Sequence, residues 1–174
     1  MPRIALNDIQ NLPDILSTEH FTLQLGTIPG GGDSNGLMLK CADANVPGFS
    51  TENYEAMLAG TVRNFRGRKM YPRTLAVTFL EDSSMTTLNA LRNWMEQIVG
   101  TNSNTSIGGI AVYSVNALLT IFDMAGNDID EITFMNCFIQ DVPDVQVTGE
   151  SSTLWRVPAT FKYDWISYNG VTIR

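Results

Sequence analysis

The run Gly30-Gly31-Gly32-Asp33-Ser34-Asn35-Gly36 is the first place in the chain where backbone N–H groups could gather round a phosphate. A phosphate loop needs Lys followed by Ser or Thr directly after its glycines, and a dinucleotide fingerprint opens a helix after a strand. Leu37-Met38-Leu39 follows instead, so a flexible turn is expected, with glycine supplying positive φ at no steric cost. Asp123, Asp128, Asp130 and Glu131 could gather round a hard cation, but their spacing departs from a calcium loop and Ala125 stands where a ligand belongs. A solvated hairpin tip is the better reading.

Histidine occurs once, at His20, so a histidine triad or two-histidine metal site would need an identical neighbour; an ordinary strand residue is expected. Cys41 and Cys137 lie in apolar runs without metal-like spacing and read as buried free thiols. No Gly-x-Ser-x-Gly elbow is present. The adjacent acids Glu81 and Asp82 could be a carboxylate pair, yet their place suits the end of a strand and the cap of a helix. Asn104-Thr105-Ser106 matches a glycosylation sequon but has no secretory signal before it. No catalytic residue, metal or cofactor is expected.

One set of charges asks for a partner. Arg63, Arg66, Arg68, Lys69 and Arg73 are five of the chain's 11 basic residues, set against 18 acids and a net charge of −7. Such segregation suggests contact with something acidic. A solvated basic loop and an acidic surface on another copy of the chain both fit. Nucleic acid fits less well, because no basic residues are interleaved elsewhere and the whole is repelled by phosphate.

The elements that would position these residues are mostly strands. At 174 residues, 44% apolar and 17% charged, the chain reads as one domain, 1–174, able to bury a core. Residues 1–18 read as a lead-in arm without a secretory signal, and no segment is long enough to span a membrane, so synthesis in the cytoplasm is expected. Phe21, Leu23 and Leu25 alternate with polar residues as a strand, and Leu37–Asp43 is expected to return as its hairpin partner, closed by Val46-Pro47-Gly48. From Glu52 to Arg73 a long strand, with Tyr54, Ala56, Leu58, Gly60 and Val62 on one face, is expected to run into a basic loop. Leu75, Val77 and Phe79 mark the clearest strand. Asp82-Ser83-Ser84 then opens a helix at about 84–99, with a stripe of Leu88, Leu91, Met95, Ile98 and Val99 for a sheet and Gly100 as its stop.

Beyond a polar loop at 101–109, strands are expected at Ile110–Ser114, Leu118–Phe122, Glu131–Ile139, Asp144–Thr148 and Val157–Ile166. The last would place Val157, Ala159, Phe161, Tyr163 and Trp165 on one side. Strands around a single helix, without a βαβ rhythm, make a mainly β fold: an antiparallel sandwich or barrel with one flanking helix.

The order of these elements resembles the tail-tube family of contractile-tailed bacteriophages. The features that carry the likeness are Val46-Pro47-Gly48, the run Arg73-Thr74-Leu75-Ala76-Val77-Thr78-Phe79-Leu80-Glu81-Asp82 leading to a helix centred on Asn93-Trp94, Phe134–Pro143, Leu154-Trp155 and Phe161-Lys162-Tyr163-Asp164-Trp165, over residues 19–166. The resemblance implies a structural virion protein whose hexameric rings stack into the inner tail tube, with sheath, baseplate and tube-terminating proteins as partners and tape-measure protein and DNA in the lumen. A baseplate tube initiator and the tube subunit of a phage-like injection system share that pattern. A β-barrel ligand-binding module is the reading from another class. In the tube reading, the segment 52–73 would reach the adjacent ring through Arg63, Arg66, Arg68, Lys69 and Arg73, and the acid excess would keep DNA from sticking to the lumen.

Overall fold

The computed structural model describes residues 19–100, 108–145 and 154–173. The reading of 1–18 as an arm, the loop at 101–107 and most of the strand expected at Asp144–Thr148 lie outside them; Asp144 and Val145 themselves are in no regular element.

Strict alternation sets the sheet. Strand β5 (Thr74–Leu80) buries Leu75, Val77 and Phe79, which lie opposite Phe161, Ala159 and Val157 of β8 (Arg156–Lys162). The second buried face is built in the same way. Leu23 and Leu25 of β1 (Phe21–Leu25) face Leu119 and Ala117 of β6 (Val115–Phe122), which in turn face Ile132 and Phe134 of β7 (Asp128–Asp141). Eight antiparallel strands join in the order β1-β6-β7-β8-β5-β2, where β2 is Cys41–Ala44. Two shorter strands complete the set: β9 (Trp165–Tyr168) lies on β7, and β10 (Val171–Ile173) on β9.

β7 belongs to both layers. Its Ile132–Met135 stretch pairs with β9 and its Phe138–Ile139 stretch with β8. Between them Asn136 sits at φ 53, its side-chain amide donating to Asp164 (2.8 Å), while the Asp164 N–H donates to the Met135 carbonyl. A left-handed residue held by the facing corner bends the strand from one sheet to the other. The same corner divides the expected strand 157–166 at Tyr163-Asp164, so Tyr163 stays buried while Trp165 is only half-buried on the next strand.

The long helix is α2 (Thr86–Ile98). Its start shows why two acids stand together. Asp82 Oδ1 accepts from the Thr86 N–H, and the Glu81 carboxylate accepts from Thr87 (3.0 Å) and Leu88 (2.8 Å), so the first three helical donors all end on a carboxylate. A hydrogen-bonded ion pair with Lys40 holds the Asp82 carboxyl well below the usual carboxylate range, and the Thr86 hydroxyl and N–H add to it. A depressed carboxylate contributes stability above its unfolded value of about 3.9 and loses it as pH falls. The Asp82→Asn variant should therefore lose less stability than the parent chain between about pH 5 and pH 2, measured by urea unfolding at each pH.

The buried stripe of α2 is Thr87, Leu88, Ala90, Leu91 and Trp94. Leu88 and Leu91 are buried, Met95 and Ile98 are only partly buried at its edge, and Trp94 takes the centre. Its ring lies 5.5 Å from that of Phe161 and its indole N–H donates to the Tyr113 carbonyl (2.7 Å). The helix ends as Val99 turns extended (φ −138), one residue before Gly100.

Three expectations are corrected. Residues Ser34–Leu39 form a short helix, α1, rather than the return strand, because Asp33 accepts from the Asn35 N–H and caps it. Leu37 points inward while Leu39 is exposed. β1 and β2 are therefore not a hairpin; they stand at opposite ends of the sheet order. Ile110–Tyr113 is a helical turn, α3, whose end presents the carbonyl that Trp94 uses.

Candidate assembly surface

Between Pro47 and Tyr71 the chain leaves this body. Strands β3 (Ser50–Leu58) and β4 (Thr61–Met70) form a two-stranded sheet of their own. Ala59 (φ 48) and Gly60 (φ 78) make the turn, both left-handed, as a two-residue hairpin connection requires. The expected long strand is thus folded back on itself, and the basic residues sit on a strand rather than in a loop. Pairing fixes the faces: Tyr54, Ala56 and Leu58 lie opposite Phe65, Arg63 and Thr61 on one, while Asn53, Glu55 and Met57 lie opposite Arg66, Asn64 and Val62 on the other. Val62 is therefore not on the Tyr54 face, because the turn breaks the alternation. Gly67 is required at the bulge that follows, since a Cβ there would come within 2.6 Å of the Tyr54 ring and 2.7 Å of the Glu52 carbonyl.

Apart from incidental contacts, β3 and β4 pack on each other and on no other strand or helix among the described residues. Exposed on the first face are Tyr54 (57%), Leu58 (51%) and Phe65 (47%); on the second, Met57 (75%) and Val62 (53%). A hairpin with no third strand or helix against it is marginal in water, and an apolar surface of this kind marks an interaction site.

The five basic residues are not equivalent. Lys69 stands 3.7 Å above the Phe49 ring, which tilts against Tyr168 of β9, whose hydroxyl donates to the Pro47 carbonyl. Lys69 thus helps moor the hairpin to its own body. Arg73 lies near the Tyr71 ring at the same base. Arg63 and Arg66 project from opposite faces, Arg68 falls at the bulge, and none of these three has an ion pair with a described residue. Sequence reasoning singled out the cations and took Tyr54 only as part of a strand face; Phe49, Tyr54, Phe65 and Tyr71 within one short stretch were the available signal.

Beside the hairpin, the body leaves the outer edges of β1 and β2 without a paired strand among the described residues. A groove of about 600 Å³ runs between them, lined by Phe21, Cys41, Asp43, Val46, Leu119 and Ile121 among others.

The remaining chemistry-bearing residues are engaged in structure. Asp123 closes the β6–β7 turn by accepting from the Ala125 and Asn127 backbone and the Asn127 side chain, which holds its carboxyl below the usual range. His20 precedes β1, its carbonyl accepting from the Phe122 N–H. Both thiols are free, Cys137 buried and Cys41 half-buried; burial pushes each up to about 12, with Asp43 adding at Cys41. Such thiols are poor nucleophiles at neutral pH. Among the described residues no group of three or more His, Cys, Asp or Glu is placed to hold a metal, and no helix is long and apolar enough to cross a membrane.

A family model described as phage tail tube protein matches residues 12–169. Among solved structures, the chain is similar to the tube-terminating cap of the anti-feeding prophage, with 14% identity over 97% of this chain and 95% of that one (TM-score 0.63). It is also similar to a chain of the PVC extracellular contractile injection system sheath–tube complex in its extended state (13% identity, 96% and 99% covered, TM-score 0.59). A third is a chain of the six-fold symmetrised anti-feeding prophage baseplate (11% identity, 93% and 100% covered, TM-score 0.63). At these identities the likeness is one of fold. No curated protein matches the chain.

Proposed function

Given that the chain belongs to the phage tail tube protein family, and so is a structural subunit of a tail tube, we propose that six copies close a ring and that rings stack through the β3–β4 hairpin. The observation that carries this reading is the hairpin itself: exposed apolar residues on both faces, no other strand or helix packed on it among the described residues, and basic in an acidic protein. Residues 50–70 hold four basic and two acidic side chains, so with a whole-chain charge of −7 the remainder is at −9. Arg63, Arg66 and Arg68 are then drawn to acidic groups of the adjacent ring, with Lys69 and Arg73 holding the base of the hairpin. Ring closure joins the outer β1 and β2 edges, which have no paired strand among the described residues, to neighbouring copies, so that the sheet edges that would otherwise invite aggregation are covered. The six-fold symmetry of the anti-feeding prophage baseplate, a particle that contains the same fold, supports six copies per ring.

The subunit works without catalysis in the virion, assembled in the host cytoplasm. Sheath, baseplate and terminator proteins are its outer and end partners, and the lumen carries tape-measure protein and DNA without binding them. Electron microscopy of purified protein is the direct test. The parent chain should form hollow rods at high concentration, and Arg66→Glu with Arg68→Glu should shorten or abolish them while leaving the circular dichroism spectrum and thermal unfolding of the monomer unchanged. Rods of ordinary length from that variant would refute the electrostatic contact. Growth without added factors also separates a tube subunit from a tube initiator.

A further inference from the structure

Asn-Gly occurs twice in the chain, at 35–36 and at 169–170, and the fold treats the two pairs differently. Glycine after asparagine leaves the next backbone nitrogen without a side chain to shield it from the asparagine amide carbon. At the first pair, helix α1 keeps that nitrogen away. Asn35 lies within Ser34–Leu39, its N–H donates to the Asp33 carboxylate (3.1 Å), and the Gly36 carbonyl accepts from the Lys40 N–H (3.2 Å). Helical ψ fixes the Asn35 backbone, and Asp33 crowds Gly36 so closely that a Cβ there would stand 2.7 Å from its carboxylate.

The second pair is the turn between β9 and β10. Asn169 (φ 45) and Gly170 (φ 80) are both left-handed, as a two-residue connection requires, and both are exposed, with open space where a Gly170 Cβ would stand. Asn169 is tied to Glu131: its N–H donates to the Glu131 carbonyl (3.0 Å) and its Oδ1 accepts from the Glu131 N–H (3.2 Å). Beyond Gly170, β10 is three residues long, pairs with β9 alone among the described residues, and leaves Val171 and Thr172 exposed. A short edge strand of this kind opens locally at small cost in free energy, and opening frees ψ of Asn169.

We propose that Asn169 is a site of spontaneous deamidation in the folded protein, with water as the co-reactant, and that Asn35 is spared by its helix. The Gly170 nitrogen attacks Cγ of Asn169. The new C–N bond closes a succinimide, and the side-chain NH2 leaves with the Gly170 proton as ammonia. Water then opens one of the two ring carbonyls to give aspartate or isoaspartate, and nothing is oxidised or reduced. Either product adds a negative charge next to Glu131 in a chain already at −7. Isoaspartate also lengthens the main chain by one methylene in a turn built for two residues, so β10 loses its register on β9.

The test follows the folded, unassembled chain through incubation at mildly alkaline pH, with peptide mapping by mass spectrometry at both pairs. Asn169 should convert at least about ten-fold faster than Asn35, and the two rates should draw together in urea, where helix and turn are gone. Isoaspartate among the products at 169 marks the cyclic route; aspartate without isoaspartate overturns it. Asn35 converting as fast as Asn169 in the folded chain overturns the proposal. So does an Asn169 that stays intact over a time in which urea lets both pairs convert.

Discussion

A chain in which residues 51–69 are replaced by an Asn-Gly turn is expected to remain a folded monomer and to form no tubes at any concentration. Ser50 and Met70 are paired at the hairpin base, so a two-residue connection can close there in the left-handed geometry that Asn-Gly adopts. What the body loses is small. The Lys69 contact over Phe49 is worth about 0.5–1 kcal/mol at an exposed site. Phe49, Tyr168 and the hydrogen bond to Pro47 remain. Thermal unfolding of the shortened monomer should therefore shift by only a few degrees, while sedimentation and electron microscopy should show assembly reduced beyond detection. Tubes formed without the hairpin would remove it from the stacking contact. A collapse of monomer stability would mean that it belongs to the body after all.

The largest effect on stability is expected from Trp94→Ala. Trp94 is fully buried, its ring tilted against that of Phe161 at 5.5 Å, and it donates to the Tyr113 carbonyl across the gap between α2 and α3. Removing a buried indole costs about 3–5 kcal/mol through lost contact and the cavity left behind. The Tyr113 carbonyl loses its donor as well. Against a total stability of about 5–15 kcal/mol, this brings the domain close to unfolding at ordinary temperature. Urea denaturation should show a large fall in midpoint for Trp94→Ala and, for the exposed Arg92→Ala on the same helix, a change within about 0.5 kcal/mol. A small loss at Trp94 would mean that the core closes over the gap.

Both outcomes concern residues whose importance was unevenly visible in the sequence. Trp94 could be placed on the helix but not on its buried side. The stripe through Leu88, Leu91, Met95 and Ile98 is equally consistent with a sheet contact, and only packing against Phe161 turned the helix toward Trp94. The cations of β4 were conspicuous as a charge anomaly, yet the turn at Ala59-Gly60 was hidden because Leu58 and Val62 continue the alternation across it. Leu37 and Leu39 gave the same false period of two: a strand would put both on one face, whereas the short helix turns Leu37 inward and leaves Leu39 exposed.

What the sequence determined by itself was everything that depends on neighbours along the chain. This includes the alternation of β1, β5, β6, β7 and β8, the existence and approximate limits of α2, the capping role of Glu81 and Asp82, and the concentration of positive charge at 63–73. These follow from local periodicity and local hydrogen bonding. Tertiary structure alone decided that β1 pairs with β6 and not β2, that Asn136 carries β7 through both layers, and that β3 and β4 leave the body as a sheet of their own with exposed apolar residues on both faces. Which edge a strand joins, and which side of it is covered, depends on the free energy of contacts between residues far apart in the chain, and no window along the sequence contains both partners.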